Sequence, residues 1–553
     1  MVNPSLPNDP EKREAVREDP DPIGGHFQAP ISISHSARAV GLATSLSRVL
    51  GCVRDVLIAG FLGSGWVADA FIVAFRLPNL LRRLFGEGTL AAVIVPIFSH
   101  AMVKHGPERG QELGRGLLKT GALILAALTG IALIAAPDLI LLTAPGFHGW
   151  AAKFDLSLNL ARIMLPYLLF IGMSALAMGI LNSYGHFIAP ALAPAILNLV
   201  MIVALVVTAA WWSSPAMCAI GLAAGVLVGG GLQFGIQIPA LARRGLLPLR
   251  GSRFWPAEIR RISARLVPTL VGAAGYQINL VVSTLYASLL PVGSISALYY
   301  ADRLVQMPLG IFVVALATAC LPAFSRQAAS QATERLAAAT SQAVAMSLFL
   351  TLPAMVGLIV LREPIVQMIF QRGAFDYRAA QLTADAVLYY AMGLSALAVV
   401  RMTNTTFFAL QEMRIPLQAA LVSVGLNCGL GWVLKDTMGH SGLALAAGLA
   451  AVVNCVWLLV GVGLRLAGVF SRKFWFSIAK AVLATGLMGF SVGILRDYVM
   501  INSGSSAYYQ AGATLICIVW GMLCYGGLAK LFKCPELPRL TALAGVRSAQ
   551  SST

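Results

Sequence analysis

The chain has 553 residues, of which 58% are hydrophobic and 11% are charged, and its formal net charge is +17. Soluble domains carry about 25% charged residues, so this composition excludes a water-soluble fold. On a membrane protein, an excess of Lys and Arg is typical of cytoplasmic loops that face anionic lipid, and nucleic-acid binding is not expected.

Residues 1–35 are rich in Pro, Asp, Glu and Arg and lack the apolar segment of a signal peptide, so they are predicted to be a disordered tail. The rest of the chain is almost continuously apolar. Runs of about 20 or more apolar residues predict fourteen transmembrane helices. These spans are predicted over residues 36–62, 67–103, 110–136, 155–182, 187–211, 215–242, 262–290, 295–325, 337–361, 379–410, 415–434, 441–466, 475–499 and 507–531.

Basic residues are concentrated in alternate loops. The segment 243–261 alone contains six arginines, and the loops on the same predicted side are also basic, whereas the opposite loops carry few Lys or Arg. By the positive-inside rule, this asymmetry predicts that both termini are cytoplasmic.

A weak internal repeat appears at a shift of about 226 residues. Arg76-Leu77 recurs as Arg303-Leu304, and the segment 95–99 recurs as 321–325. Six spans separate the copies, so the two halves share one orientation, as in transporters whose repeats are related by an axis along the membrane normal. We therefore expect an all-α polytopic protein of two six-helix lobes and two C-terminal helices. The predicted boundaries are a tail at 1–35, an N-terminal lobe at 36–242, a basic linker at 243–261, a C-terminal lobe at 262–466, the last two helices within 467–533 and a second tail at 534–553.

Several charged residues fall inside predicted spans, where one Arg at the centre of a helix costs about 2.5–3.5 kcal/mol. Arg83 and Glu87 are four residues apart on one helix and are predicted to pair. A seven-residue spacing favours a second pair between Asp69 and Arg76. Arg48 has the same spacing to Asp55, and it is expected either to pair with Asp55 or to meet a neighbouring helix.

Four arginines remain without an exclusive partner in this pattern: Arg48, Arg54, Arg82 and Arg303. Guanidinium groups suit bidentate capture of phosphate oxygens, so their convergence in a cleft between the lobes predicts an anionic, phosphorylated cargo. Glycine and proline in the second span predict a bent or interrupted helix. Tyr299 and Tyr300 are interpreted as part of an interfacial aromatic belt.

The motifs around these charges are distinctive. The chain reads SRVLGCVRD over 47–55, ADAFIVAFRLPNLLRRLFGEG over 68–88, APGF over 144–147 and YYADRL over 299–304. With these segments, the sequence from about residue 36 to the end closely resembles the MurJ (MviN) family of bacterial lipid II flippases, within the multidrug/oligosaccharidyl-lipid/polysaccharide exporter superfamily.

The resemblance implies a fourteen-helix transporter of the bacterial inner membrane. It implies movement of the undecaprenyl-diphosphate-linked peptidoglycan precursor, lipid II, to the outer leaflet by alternating access. Arg48, Arg54, Arg82 and Arg303 match the family's cleft arginines, and the acids Asp55, Asp69 and Glu87 match its gating or pairing positions. The family also implies a groove for the lipid tail in the last two helices. No cofactor is implied, and a monomer in contact with membrane lipids is expected.

The second lobe departs from the family pattern. Thr405 and Glu412 stand where relatives carry Pro and Asp. Asn279 and Asn427 occupy spans that contain no mid-span carboxylate, which disfavours a cation site there and leaves the coupling cation open.

Three alternatives follow from the same residues. An exporter of another lipid-linked oligosaccharide, or a drug or cation antiporter of the same superfamily, is disfavoured by the arginine motifs. A membrane transferase would need a carboxylate cluster for a metal or a general base, and the sequence shows no such pair. The chain is therefore expected to be a transporter rather than an enzyme.

Overall fold

The computed structural model describes residues 33–86, 89–247, 262, 277–502 and 507–543, and these residues are almost entirely helical. A few side chains within these helices, including that of Arg83, are not described. The helices of the first half are α1 (Ile33–Leu62), α2 (Trp66–Gly86), α3 (Thr89–Ile134), α4 (Ala136–Thr143), α5 (Ala151–Met164), α6 (Tyr167–Ser183), α7 (Ile188–Trp211), α8 (Pro215–Gly235) and α9 (Ile238–Arg243). Those of the second half are α10 (277–288), α11 (Ser294–Pro308), α12 (Val314–Ala329), α13 (Thr333–Val360), α14 (Arg362–Phe370), α15 (Tyr377–Met392), α16 (Leu394–Ala409), α17 (Arg414–Arg465), α18 (Arg472–Asn502), α19 (Ala507–Leu531) and α20 (Glu536–Leu543).

Helix packing divides the molecule into two lobes, as the repeat predicts. In the first lobe, α7 packs against α1 and α8, while α6 packs against α2, α3 and α8. In the second lobe, α16 packs against α12, α13 and α17, and α15 packs against α11 and α17. The C-terminal helices α18 and α19 pack against each other and against α13. Contacts between the lobes include those of α1 with α14 and of α2 with α11.

Among the described residues, nine helices are long and apolar enough to span a membrane, and the bent pair α15 and α16 makes up to ten. The chain is therefore a multi-pass membrane protein. α17 has 52 residues, which corresponds to about 78 Å of helix, far more than the roughly 30 Å of a bilayer core. It breaks at Gly439, whose φ is 59°, between the two spans predicted at 415–434 and 441–466. The total of fourteen spans is consistent with this arrangement and stays a prediction.

A proline ends one of the helices that face the first lobe. The break predicted in the second span lies outside the described residues, because α2 is described up to Gly86 and α3 from Thr89 onward. In the second lobe, Pro308 ends α11, and a π-helical turn over Leu309–Val313 leads into α12. Proline lacks the N–H that would close an α-helical turn, and π-helical turns occur mostly at functional sites.

Small residues allow close packing within the first lobe. Gly221, Gly225 and Gly229 form a stripe along α8 that faces α7. A Cβ atom at Gly225 would lie 2.6 Å from the Cβ of Ala204, so only glycine permits this approach. Such small-residue stripes let membrane helices gain van der Waals contact where the hydrophobic effect contributes little.

Candidate functional site

Helices α1 and α11 bring charged side chains into the interior between the lobes. Arg54 on α1 lies eight residues before the end of its helix, and Arg303 on α11 lies nine residues after the start of its own. At 1.5 Å per residue, both lie about 12–14 Å below the end of the molecule where α1 ends and α2 begins. We call this end the closed end, and the basic loops predict that it is periplasmic.

Asp55 is the centre of this charged group. Its Oδ1 accepts hydrogen bonds from the Arg54 guanidinium at 2.7 and 3.0 Å, and its Oδ2 lies 3.3 Å from Nε of Arg303. Arg54 and Asp55 are buried, with 8% and 6% of their surfaces exposed. One carboxylate therefore neutralises guanidinium groups from both lobes.

This arrangement corrects the prediction that Arg54 and Arg303 lack partners. Neighbouring residues on a helix point about 100° apart, and this angle alone predicts no pair between Arg54 and Asp55. The Arg54 side chain is long enough to fold back onto Asp55. It also donates to the Oδ1 of Asn198 on α7, at 2.7 Å. Asn198 in turn donates to the carbonyl of Ser47 at 2.9 Å, so it positions Arg54 as well as joining two helices.

The other two predicted arginines lie farther from the closed end. Arg48 is exposed and donates to the carbonyl of Gly310, in the π-helical turn of the opposite lobe. Asp55 and a neighbouring helix are the two partners expected for Arg48, and the structure shows the contact with the neighbouring helix. Nε of Arg82 donates to the Oδ1 of Asn79 at 2.7 Å.

Asp69 joins the two lobes at the closed end. Its carboxylate accepts from the backbone N–H groups of Gly293 and Ser296, each at 3.0 Å, and forms an ion pair with Lys153 at 2.9 Å. Gly293 and Ser296 lie at the N-terminus of α11, where unpaired N–H groups and the helix dipole favour an anion. The predicted pair of Asp69 with Arg76 is therefore wrong, because these partners come from segments distant in sequence.

Further hydrogen bonds join the two lobes at the closed end. The N–H of Ala374 donates to the carbonyl of Gly60 at 2.8 Å, and the hydroxyls of Ser64 and Ser296 lie 2.9 Å apart. The N–H of Gly146 donates to the Ser288 hydroxyl at 3.1 Å. The two lobes are thus joined directly at this end.

A small cavity of about 30 Å³ lies beneath these contacts. Its lining includes Arg76, Asn79, Tyr299, Asp302 and Arg303. Arg76 and Arg303 are the repeat-related arginines, so both lobes contribute the same residue type to one cavity. Arg76, which the sequence reasoning assigned to an ion pair, therefore belongs with the cavity residues.

Arg401 on α16 was missed by the sequence reasoning. It is exposed, although it lies within the span predicted at 379–410. α16 packs against α12, α13 and α17, and a 44° bend at Gly393 separates it from α15, which carries the cavity-lining Tyr390. The sequence does contain a signal for Arg401, because an arginine inside an apolar span is itself a functional candidate.

Of two further predictions, one is wrong and the other stays a prediction. Tyr299 and Tyr300 do not form an interfacial belt, because Tyr300 is fully buried and Tyr299 lines the cavity. The predicted pair of Arg83 and Glu87 lies outside the described residues, since the Arg83 side chain and Glu87 are not described.

Comparison with known proteins agrees with this architecture. The family model described as lipid II flippase MurJ matches residues 58–510. A probable lipid II flippase MurJ from Bdellovibrio bacteriovorus is 33% identical over 91% of this chain and 96% of the relative. A probable lipid II flippase MurJ from Vibrio cholerae is 34% identical over 81% of this chain and 86% of the relative.

Solved structures show the same fold. The structure titled lipid II flippase MurJ, inward closed conformation, has a TM-score of 0.74 and 26% identity, and covers 89% of this chain and 98% of its own. An inward-facing multidrug resistance MATE family transporter of the MOP superfamily has a TM-score of 0.65 at 14% identity, covering 79% of this chain and 99% of its own. The second match shows the fold alone. The family match over most of the chain, together with the relatives at 33–34% identity, shows that this chain belongs to the MurJ family of lipid II flippases.

Proposed function

We propose that this chain flips lipid II from the cytoplasmic to the periplasmic leaflet of the bacterial inner membrane by alternating access. The diphosphate would be held by Arg48, Arg54, Arg82 and Arg303. Arg76 would add positive charge inside the cavity, and the exposed Arg401 would add positive charge on α16. The observation that carries this proposal is the position of Asp55, which holds arginines from both lobes beside one cavity.

Asp55 supplies a physical reason for binding and release. Without cargo, the buried guanidinium groups need a counter-ion, and Asp55 provides one charge for two arginines. A diphosphate brings additional negative charge and bidentate acceptors, so it would compete with Asp55 for Arg303. Transfer of Arg303 from Asp55 to the cargo would weaken a contact between the lobes, which links binding to lobe movement.

Asp69 would act as the gate at the closed end. It holds the N-terminus of α11 against α2 through the bonds to Gly293 and Ser296. Opening to the periplasm requires that these bonds break. Lys153 would then remain as the ion-pair partner of Asp69 within the same lobe.

The lipid tail would remain outside the cavity. α18 and α19 expose large apolar side chains, including Phe490 at 71% and Leu523 at 67% exposure. Such surfaces suit an isoprenoid chain in contact with lipid, and we propose that these two helices guide it.

We further propose that both termini are cytoplasmic and that the protein acts as a monomer. The coupling cation is left open within this proposal. The side-chain amide of Asn427 donates to the Oδ1 of Asn279 at 3.1 Å.

Leaflet-resolved labelling of the peptidoglycan precursor tests the proposal. In cells whose only flippase is this chain, precursor should reach the periplasmic leaflet, where an externally added protease or lytic toxin can act on it. Depletion of the chain should make the precursor accumulate in the cytoplasmic leaflet. Continued export during depletion, with total precursor unchanged, would contradict the proposed activity.

A further inference from the structure

The hydroxyl of Tyr299 lies between the two lobes, beside the charged group around Asp55. It donates a hydrogen bond to the Oδ1 of Asp55 at 3.3 Å and accepts one from Nη2 of Arg303 at 3.1 Å. The guanidinium carbon of Arg303 also lies 4.8 Å from the centroid of the Tyr299 ring. One side chain thus contacts both the carboxylate and the guanidinium group.

The Tyr299 ring is itself held in place. It packs edge-on against Tyr300, with centroids 5.5 Å apart and planes at 78°. Tyr300 is fully buried, and its hydroxyl donates to the carbonyl of Gly63 at 3.3 Å. Since Tyr300 is fixed on both its ring and its hydroxyl, it limits the rotation of Tyr299.

A fixed Tyr299 in turn fixes Arg303. The two residues are four apart on α11, so they lie on one helix face. The ring supports the flat side of the guanidinium group, and the hydroxyl holds Nη2. An arginine side chain has large rotational freedom, and a guanidinium group oriented before the ligand arrives loses less entropy on binding.

We propose that Tyr299 is a positioning residue that orients Arg303 for the diphosphate of the cargo, with its hydroxyl as the essential group. This inference rests on the proposed function, because it takes Arg303 as a ligand of the diphosphate. Tyr299 acts through Arg303, so its effect on binding disappears when Arg303 is absent.

A double-mutant cycle on the purified full-length protein tests this role. Undecaprenyl diphosphate is titrated in detergent against the unmodified protein, Tyr299→Phe, Arg303→Gln and the double variant. Tyr299→Phe keeps the ring and removes the hydroxyl, and its affinity should fall about tenfold, as for the loss of one hydrogen bond to a charged group. The double variant should bind no more weakly than Arg303→Gln, because coupled residues are not additive.

Tyr286→Phe is the matched control. Its hydroxyl donates to the backbone carbonyl of Cys428 at 3.2 Å, within the same lobe and away from Asp55. This variant should bind undecaprenyl diphosphate with unchanged affinity.

The outcomes separate the two proposals. If Arg303→Gln binds normally, the proposed binding site is wrong. If Arg303→Gln binds weakly but Tyr299→Phe binds normally, the site stands and the positioning role is wrong. Equal losses from Tyr299→Phe with and without Arg303 would also overturn the positioning role, because they would show an effect independent of Arg303.

Discussion

At the scale of single residues, the proposed binding site depends on arginines that share a carboxylate or bond to backbone. Asp55 is shared by Arg54 and Arg303, and Arg48 bonds to a backbone carbonyl rather than to an acid. A site built in this way holds its cations in place without the cargo and still retains positive charge to attract it.

Arg303→Ala should abolish growth in cells depleted of their own flippase, at normal protein abundance. Arg303→Lys should also fail to support growth, because an ammonium group cannot replace the planar pair of donors that contacts Asp55 and Tyr299. The measurement is complementation together with quantitative immunoblotting. Normal growth of Arg303→Ala would remove Arg303 from the site.

Arg401→Glu should impair growth in the same assay more strongly than Arg401→Lys. Charge reversal at this exposed position would repel the diphosphate, whereas Lys keeps the sign of the charge. The matched control is Arg465→Ala, which removes an exposed ion pair with Glu412 and should cost little. Equal growth of the Glu and Lys variants would place Arg401 outside the cargo path.

At the scale of helices, the closed end depends on close backbone approach between the lobes. Gly146 lies in a short 3₁₀ turn over Pro145–Phe147, next to the end of α10. A Cβ atom added there would lie 1.9 Å from the Ser288 carbonyl oxygen, a distance at which the backbones must separate. Gly149, three residues later, has no atom within 4 Å of such a Cβ position.

Gly146→Ala should therefore shift the protein toward a conformation open at this end, and Gly149→Ala should not. The test uses Ser296→Cys in both backgrounds, since Ser296 is fully buried in the closed conformation. A membrane-impermeant thiol reagent applied from the periplasm should label the Gly146→Ala protein several times faster. Equal labelling rates would show that the approach at Gly146 does not control opening.

At the scale of the whole molecule, alternating access requires that the closed end open once in each transport cycle. The hydroxyl oxygens of Ser64 and Ser296 lie 2.9 Å apart, one in each lobe. Their separation is therefore a direct measure of whether the lobes move.

A disulfide between Ser64→Cys and Ser296→Cys should lock this end and stop transport. Oxidised cells carrying the double variant should stop exporting precursor, and a reducing agent should restore export. Each single variant, treated identically, is the control for oxidation of the eight native cysteines. Export that continues through the locked protein would contradict lobe movement at this end.

Much of the architecture could be predicted from the sequence, since it depends on local chemistry. Apolar runs of about 20 residues determine where helices cross the bilayer, and breaks at Gly and Pro follow from backbone geometry. The separation of two lobes agrees with the packing of the described helices. Four candidate arginines could also be identified, because charge within an apolar span is costly and marks a candidate site, although Arg401 was not among them.

The class of protein, its two lobes and four of its candidate arginines can therefore be read from local chemistry and from the motifs of its family. Which charges meet depends on how the helices pack. Asp69 pairs with Lys153, 84 positions away, and also binds the start of α11. Asp55 pairs with Arg303, 248 positions away. Spacing along one helix describes neighbours on that helix, whereas an ion pair depends on distances of about 3 Å between helices that only packing brings together.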